Sequence, residues 1–386
     1  MSLEQANLKV ALPSSVGPFP IPLRTLMGPG PSDVHPRVLL AMAKPTLGHL
    51  DPEFILMMEE IKKLLCYAFQ TNNKATFAVS GPGTAGMEMA IVNLVEPGEK
   101  VLVGVNGIFG KRMVENVERC GGVAVIYEEP MGQPLNPEKV EGLLKSQSDV
   151  RYVAFVHAET STGVENPAQA LCSGAHQYKK MIIMDTVTGL GGVPVLIDEW
   201  GVDVAYSGTQ KCLGAPPGLS PITFSERAVA HIKARKTKVQ SWFLDLNLLM
   251  GYWDGAQART YHQTAPINAC YGLHESLVLL AEEGLQKSWA RHKTNAKTLE
   301  GELTKLGLKY LVQEPYRLPQ LHSIHIPSGV EDAKVRKSLL TDWNLEIGGG
   351  LGSLAGKIWR LGLMGHGSNA KNIAYCTHAL QSCLLK

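Results

Sequence analysis

Long apolar runs are missing from this chain. No stretch reaches the ~18 residues that crossing a bilayer requires, so a helical membrane span is not expected. Charge of one sign is also scarce: 37 Lys and Arg stand against 35 Asp and Glu, a net +2. No basic or acidic block is long enough to grip nucleic acid or another polyanion. The densest basic stretch, His231-Ile-Lys-Ala-Arg-Lys-Thr-Lys238, has the mixed spacing of a solvated helix end. Paired cysteine motifs are absent too. The seven cysteines form no Cys-x-x-Cys, and an odd set of thiols points to a reducing compartment rather than a disulfide framework. The N-terminus has neither the basic-then-apolar order of a secretory signal nor an Arg-rich amphipathic pattern. The C-terminal Leu-Leu-Lys is not a Ser-Lys-Leu type peroxisomal address. The expectation is an intracellular soluble protein, of cytoplasm or peroxisome, with no legible targeting signal.

What the chain does contain is an alternation of short apolar runs and amphipathic stretches. At 386 residues it has room for a large core and a second lobe. Residues 1–23, punctuated by Pro13, Pro18, Pro20 and Pro22, lack periodicity and read as an extended arm that frays or lies on a partner subunit. Gly28-Pro-Gly-Pro31 forms a rigid turn, with Ser32 or Asp33 as candidate N-cap of the first helix. Residues 52–70 carry Phe54, Met57, Met58, Ile61, Leu64, Leu65 and Phe69 at helical spacing, a core-facing amphipathic helix. Strands are expected at 75–79, 101–105, 123–126, 152–156, 181–185 and 202–206, with helices between them that include 135–148 and 168–179. Repeated strand–helix units with polar strand ends indicate an α/β fold with a mainly parallel sheet. Beyond residue 220 the pattern changes. Aromatics gather over 240–262 and a long helix begins near 270. Short strands near 308–312, 321–326 and 345–347, with a helix at 331–342, read as a smaller lobe. The expected division is an arm over 1–23, a large domain over 24–270 and a small domain over 271–386.

In an open α/β sheet, ligands lie beyond the carboxyl ends of the strands. Ser80-Gly-Pro-Gly-Thr-Ala-Gly86 falls there, between a strand and a helix. Backbone N–H groups and the positive helix end would converge on one point, a cradle for phosphate. By letter Gly81-x-Gly83-x-x-Gly86 also matches the dinucleotide fingerprint, which makes a nicotinamide-dependent oxidoreductase the rival from another class. That reading needs an acid at the end of the next strand, where Asn106-Gly107 stands instead. A turn without any ligand is the plainer alternative. Phe109, just past a strand end, suits stacking on a flat ring or filling the core. The strand at 152–156 runs into His157-Ala-Glu-Thr160, and that at 181–185 closes on Asp185. The next leads through Ser207-Gly208-Thr209-Gln210 to Lys211. A lysine after a strand is usually a surface residue. Here small, turn-forming residues (Cys212 to Gly218) follow it, and Asp185, if buried, needs a cationic partner. Pyridoxal 5'-phosphate satisfies the set, since its aldehyde bonds a lysine amine and its ring nitrogen takes an aspartate. Farther on, Arg360 sits on an apolar strand with no acid nearby in sequence. A substrate carboxylate or a structural ion pair would each satisfy it. His322 and His325, three apart on a strand, face opposite sides, so no metal site is expected there.

Several of these stretches together resemble a known family: Gly28-Pro-Gly-Pro31, Ser80-Gly-Pro-Gly-Thr84, Asn106-Gly-Ile-Phe-Gly110, Thr160-Ser-Thr-Gly-Val164 and Asp185-Thr-Val-Thr-Gly-Leu-Gly-Gly192. Tyr206-Ser-Gly-Thr-Gln-Lys211, Ala215-Pro-Pro-Gly218, Arg235-Lys-Thr-Lys238, Tyr261-His-Gln-Thr-Ala-Pro266 and the Arg360 strand follow in the same order. From about residue 20 onwards the chain is similar to the alanine–glyoxylate and serine–pyruvate aminotransferases, class V pyridoxal-phosphate enzymes of fold type I. The resemblance implies a large domain whose mainly parallel seven-stranded sheet lies between helices, and a smaller C-terminal α/β domain. It implies that Lys211 bonds the cofactor aldehyde and carries protons, and that Asp185 pairs with the ring nitrogen. Gly83 and Thr84 would hold phosphate, Phe109 and Val187 would lie against the ring, and Thr160, Thr209 and Gln210 would complete the cofactor site. Arg360 would take the substrate carboxylate, with Gly30 beside it. Tyr261 and Thr264 would reach the phosphate of the neighbouring subunit, making a homodimer obligatory. The implied reaction moves the amino group of a small L-amino acid, alanine or serine, to glyoxylate, giving glycine and a 2-oxo acid. Serine–pyruvate or 3-hydroxykynurenine transamination is the family alternative. A cysteine desulfurase needs a cysteine on a mobile loop, whereas Cys270, Cys376 and Cys383 fall on helical stretches. Three departures stand out: Phe109 replaces the tryptophan of many relatives, Pro82 and Thr84 replace Ser and His of animal ones, and the C-terminal peroxisomal signal of some is missing.

Overall fold

The computed structural model describes residues 10–254 and 259–385. Its centre is a sheet of β1 (Ala75–Ser80), β2 (Lys100–Val105), β3 (Val123–Glu128), β4 (Val150–Val156), β5 (Met181–Asp185), β6 (Val204–Tyr206) and β7 (Leu219–Phe224). The strand order is β1-β7-β6-β5-β4-β2-β3. Every pairing is parallel except those of β7, which runs antiparallel to both neighbours. Parallel strands need helical crossovers that cover both faces. Accordingly Tyr152 to Val156 and Ile182 to Asp185 are buried without a break.

Six strands fall where the apolar runs place them; β7 is the one those runs did not reveal. Pro221 lies inside it, and a proline argues against a central strand because it donates nothing to the ladder. The structure resolves the conflict by geometry. Beyond Tyr206 the neighbouring β6 has ended, so Pro221 needs only to accept, and it takes the Ser207 N–H at 2.7 Å.

Several local expectations are corrected. The first helix, Pro36–Met42, is capped by His35, whose ring accepts from the Arg37 N–H. Ser32 and Asp33 are engaged elsewhere: Ser32 Oγ donates to the Lys211 carbonyl, and Asp33 accepts from the Leu26 N–H. The long helix expected from about 270 is two helices, Ile267–Glu283 and Leu285–Lys305, divided at Gly284 with its positive φ of 85°. Residues 308–312 form no strand, only an isolated bridge from Tyr310 to Ile324. Of the arm expected over 1–23, residues 1–9 lie outside the described ones. Residues 10–23 have neither helix nor strand and leave Val10, Leu12, Val16, Phe19, Ile21 and Leu23 exposed.

The buried apolar side chains fall into a large cluster around the sheet, from Ala41 to Leu285, a smaller one that joins Met27 to residues between Leu299 and Leu380, and a third made up of Ala158, Cys212, Leu318, Leu321 and Met364. The smaller cluster surrounds the antiparallel strands Leu321–His325, Ile358–Gly362 and Gly348–Gly349. Thr25–Leu26 pairs with Leu345–Glu346 and ties the chain's start to this part. His322 is buried while His325 is exposed. Among the described residues no helix is long and apolar enough to cross a membrane, and every cysteine is free.

Candidate active site

Parallel pairing brings the carboxyl ends of β4, β5 and β6 to one edge of the sheet, and β1, antiparallel to the antiparallel β7, ends on the same edge. Asp185 ends β5 and pairs in register with Tyr206, which ends β6. Both are buried. The Tyr206 hydroxyl donates to Asp185 Oδ2 at 2.9 Å, and the Val187 N–H donates to Oδ1 at 2.8 Å. Burial pushes the Asp185 carboxyl up to about 7, while both donors favour its ionised form.

After Tyr206 the chain turns through Ser207-Gly208-Thr209-Gln210 to Lys211. The turn is held by the Thr209 hydroxyl on the Pro216 carbonyl at 2.6 Å, and from outside by the Ser32 N–H on the Gln210 carbonyl at 2.9 Å. Lys211 is buried, and its Nζ donates to the Pro29 carbonyl. Gly30, at a φ of 105°, forms the wall beside that amine; a Cβ there would overlap the end of the lysine side chain. Burial draws the Lys211 ammonium down to about 8, with the Arg360 charge pushing the same way and Asp185 the other. Acid and amine are therefore close enough for each charge to act on the other.

Arg360 enters from the strand Ile358–Gly362. Its Nε donates to the Gly349 carbonyl at 2.8 Å and its Nη1 to the Thr160 carbonyl at 3.1 Å. Among the described residues it forms no ion pair and its Nη2 takes no partner. Burial lowers its pKa to about 10, against the pull of Glu159. A buried guanidinium with an uncommitted donor is a receptor for a carboxylate.

On the opposite side, Gly83 opens the helix Gly83–Leu94, which has no side-chain cap. A Cβ on Gly83 would stand 3.0 Å from Val187 Cγ2 and 3.5 Å from the Ser207 carbonyl, so Val187 floors the space between this helix end and the Lys211 turn. Thr84 follows, exposed in the first helical turn. Thr160 is buried and shares a hydrogen bond with the Thr188 hydroxyl. The Oε1 of Gln210 is buried without a partner. Phe109 is half-buried in the first turn of Ile108–Arg119, with the Arg112 guanidinium carbon 4.8 Å from its ring centre.

Two expected residues do not join the pocket within the chain. Tyr261 and Thr264 are exposed, their hydroxyls 3.2 Å apart. Gln263 between them nonetheless donates to Ser80 Oγ at 2.8 Å, so this segment passes the Gly81–Gly83 turn. Sequence reasoning also missed Tyr206, Glu159 and Gln263 as parts of the site. Tyr206 was within reach of it, because two adjacent parallel strands that end on polar residues align those residues.

The pocket fits pyridoxal phosphate on its own terms. An uncapped helix start suits a phosphate. The partnerless Gln210 oxygen, the uncommitted Arg360 amino group and the facing Lys211 and Asp185 supply complementary groups for the rest.

The aminotransferase class-V family matches residues 30–359. The chain is 40% identical over 383 residues to the alanine–glyoxylate aminotransferase of Callithrix jacchus, covering 98% of this chain and 92% of that protein. The solved structure of an alanine–glyoxylate aminotransferase from Nostoc sp. matches with a TM-score of 0.94 and 46% identity, over 96% of this chain and 97% of that one. A ureidoglycine–glyoxylate aminotransferase from Bacillus subtilis matches with a TM-score of 0.93 and 36% identity, over 95% and 94%. These likenesses set the nicotinamide alternative aside, and the Gly81–Gly86 turn takes its place in a transaminase fold. The chain belongs to the class-V aminotransferases, fold type I enzymes that depend on pyridoxal 5'-phosphate.

Proposed function

We propose that this aminotransferase moves the amino group of a small L-amino acid, alanine first, to glyoxylate, releasing glycine and a 2-oxo acid. The observation that carries the reading is a buried Lys211 amine within electrostatic reach of both Asp185 and a buried Arg360 that forms no ion pair among the described residues. The names of the relatives from Callithrix jacchus and Nostoc sp. supply the substrate pair.

Each residue has a defined task. Lys211 is the attachment point for the cofactor aldehyde, and its lowered pKa raises the fraction of free amine near neutrality. Freed by the amino donor, its Nζ takes the proton from the substrate Cα and later returns one, as general base and then acid. Asp185 would pair with the ring nitrogen and hold its proton. Gly83 and Thr84 would bind phosphate at the helix start, Phe109 and Val187 would lie against the ring, and Thr160, Thr209 and Gln210 would complete the site. Arg360 holds the substrate carboxylate beside Gly30, which keeps that side narrow. When bound, pyridoxal phosphate supplies an electron sink for the carbanion at Cα. Two half-reactions on one cofactor give ping-pong kinetics.

The same reading makes the chain a homodimer. Exposed Tyr261 and Thr264 would complete the phosphate site of the neighbouring subunit, and the apolar arm residues would be covered there. The free cysteines suit a reducing compartment, cytoplasm or peroxisome.

The test is a panel of donors (alanine, serine, 3-hydroxykynurenine, ureidoglycine) against glyoxylate and pyruvate. Alanine with glyoxylate should give the highest kcat/KM; a preference for another pair would reassign the substrate while leaving the chemistry. Replacing Arg360 with Leu should raise KM for both substrates by roughly a hundredfold, the scale of a lost charged hydrogen bond. An unchanged KM would move carboxylate binding elsewhere.

A further inference from the structure

We infer that Glu159 is a positioning residue, a buried carboxylate clip that fixes two walls of the cofactor pocket, Phe109 and Thr160, relative to each other. The inference rests on the function proposed above.

Glu159 is fully buried at 0% exposure, and among the described residues no basic side chain pairs with it. Every group that bonds to its carboxylate is a donor. The Ser161 N–H and O–H reach Oε1 at 2.9 and 2.6 Å, and the Gly110 N–H reaches Oε2 at 3.4 Å. Ser161 Oγ accepts in turn from the Ile108 N–H at 2.9 Å. The helix Ile108–Arg119 begins after Gly107 with no side-chain cap of its own. Its free N–H groups are therefore met by a residue from a distant turn. Burial pushes the Glu159 carboxyl above the usual range, and these donors pull it back towards the ionised form that a helix start favours. A Cβ on Gly107 would overlap the Glu159 carboxyl carbon, so glycine is required while the clip is in place.

What the clip joins gives it a role in the site. Phe109 belongs to the helical turn that Glu159 caps, and Thr160 lies between the two clip residues Glu159 and Ser161. The Thr160 carbonyl also receives Arg360 Nη1. If the clip loosens, the ring-facing aromatic and the Thr160 turn lose their common reference, and the carboxylate receptor shifts with them.

The test uses the full-length holoenzyme. Glu159→Gln keeps the side chain's size but places an N–H2 donor against backbone N–H groups. The dissociation constant for pyridoxal phosphate should rise about tenfold, in line with losing a buried hydrogen-bond acceptor at a helix start. The visible circular dichroism of the bound cofactor should weaken. In a Phe109→Ala background the same substitution should cost less, because the part of the effect that runs through Phe109 is already lost. Unchanged affinity and dichroism, or losses that add in full to those of Phe109→Ala, would overturn the inference. Should Glu159→Gln not fold, Ser161→Ala removes the link to Ile108 and must give a smaller loss in the same direction; wild-type values there overturn it equally. A wild-type protein that takes up no pyridoxal phosphate would instead contradict the proposed function.

Discussion

Lys211 sits where burial and a neighbouring guanidinium act together on its amine. Its free form becomes available near pH 8 instead of at the ordinary 10.5. Covalent uptake of pyridoxal phosphate by the apoenzyme should accordingly speed up with pH and level off above about 8. Stopped-flow absorbance checks this, and a rate still climbing towards pH 10.5 would mean that the lysine is unperturbed. Asp185 carries the opposite sign. Its folded pKa of about 7 lies above the ordinary 3.8. Its contribution to apoprotein stability is full below 3.8 and lost as pH rises through about 7, because ionising a buried carboxylate is costly. Apo Asp185→Asn should therefore gain in Tm over the wild type between pH 4 and pH 8; equal Tm values at both ends would remove that cost. Both residues were legible in the sequence, since each closes or follows a strand and their chemistry suits one cofactor. Tyr206 was overlooked although the register of two adjacent strand ends places it beside Asp185. Glu159 was not legible, because its partners are set by a turn that returns to a remote helix.

At the scale of the element, apolar runs located six of the seven sheet strands within a few residues. The seventh was concealed by Pro221, whose missing donor happens to face the end of β6. Caps were harder to place. Ser32 and Asp33 are good capping types by composition, but tertiary bonds to Lys211 and Leu26 claim them and His35 does the capping. The glycine-rich turn was read correctly as a strand-to-helix junction, and its third glycine has a packing reason. Gly86 lies against β6 and β7, where a Cβ would stand 3.0 Å from Tyr206 Cβ, 3.3 Å from Ser220 Cβ, and overlap Ser220 Oγ. Gly86→Val should destabilise the protein by about 1–3 kcal/mol through overpacking. It should also weaken cofactor binding by shifting the helix start. Urea unfolding with unchanged midpoint and slope would show that the helix has room to spare.

For the whole molecule, the division expected at residue 270 stands as a proposal. The helix Ile267–Glu283 buries its inward face in the larger cluster, and Met27 joins the smaller one. Tyr261 and Thr264 were nominated by resemblance alone, and in a single chain they face outwards. A shared site explains that placement and makes a sharp prediction. Lys211→Ala and a Tyr261→Ala/Thr264→Ala double variant should each be impaired alone. Mixed dimers of the two contain one site with both an intact lysine and an intact neighbour, so coexpression should restore activity. No recovery above the sum of the separate variants would confine the site to one subunit.

The bond between the 211 amine and the cofactor underlies every assignment. Borohydride reduction of the holoenzyme, followed by peptide mass mapping, locates it. The added mass should fall on the peptide containing Lys211 and vanish in Lys211→Ala. Label on a different lysine, or no label in an active preparation, would contradict the reading at its root.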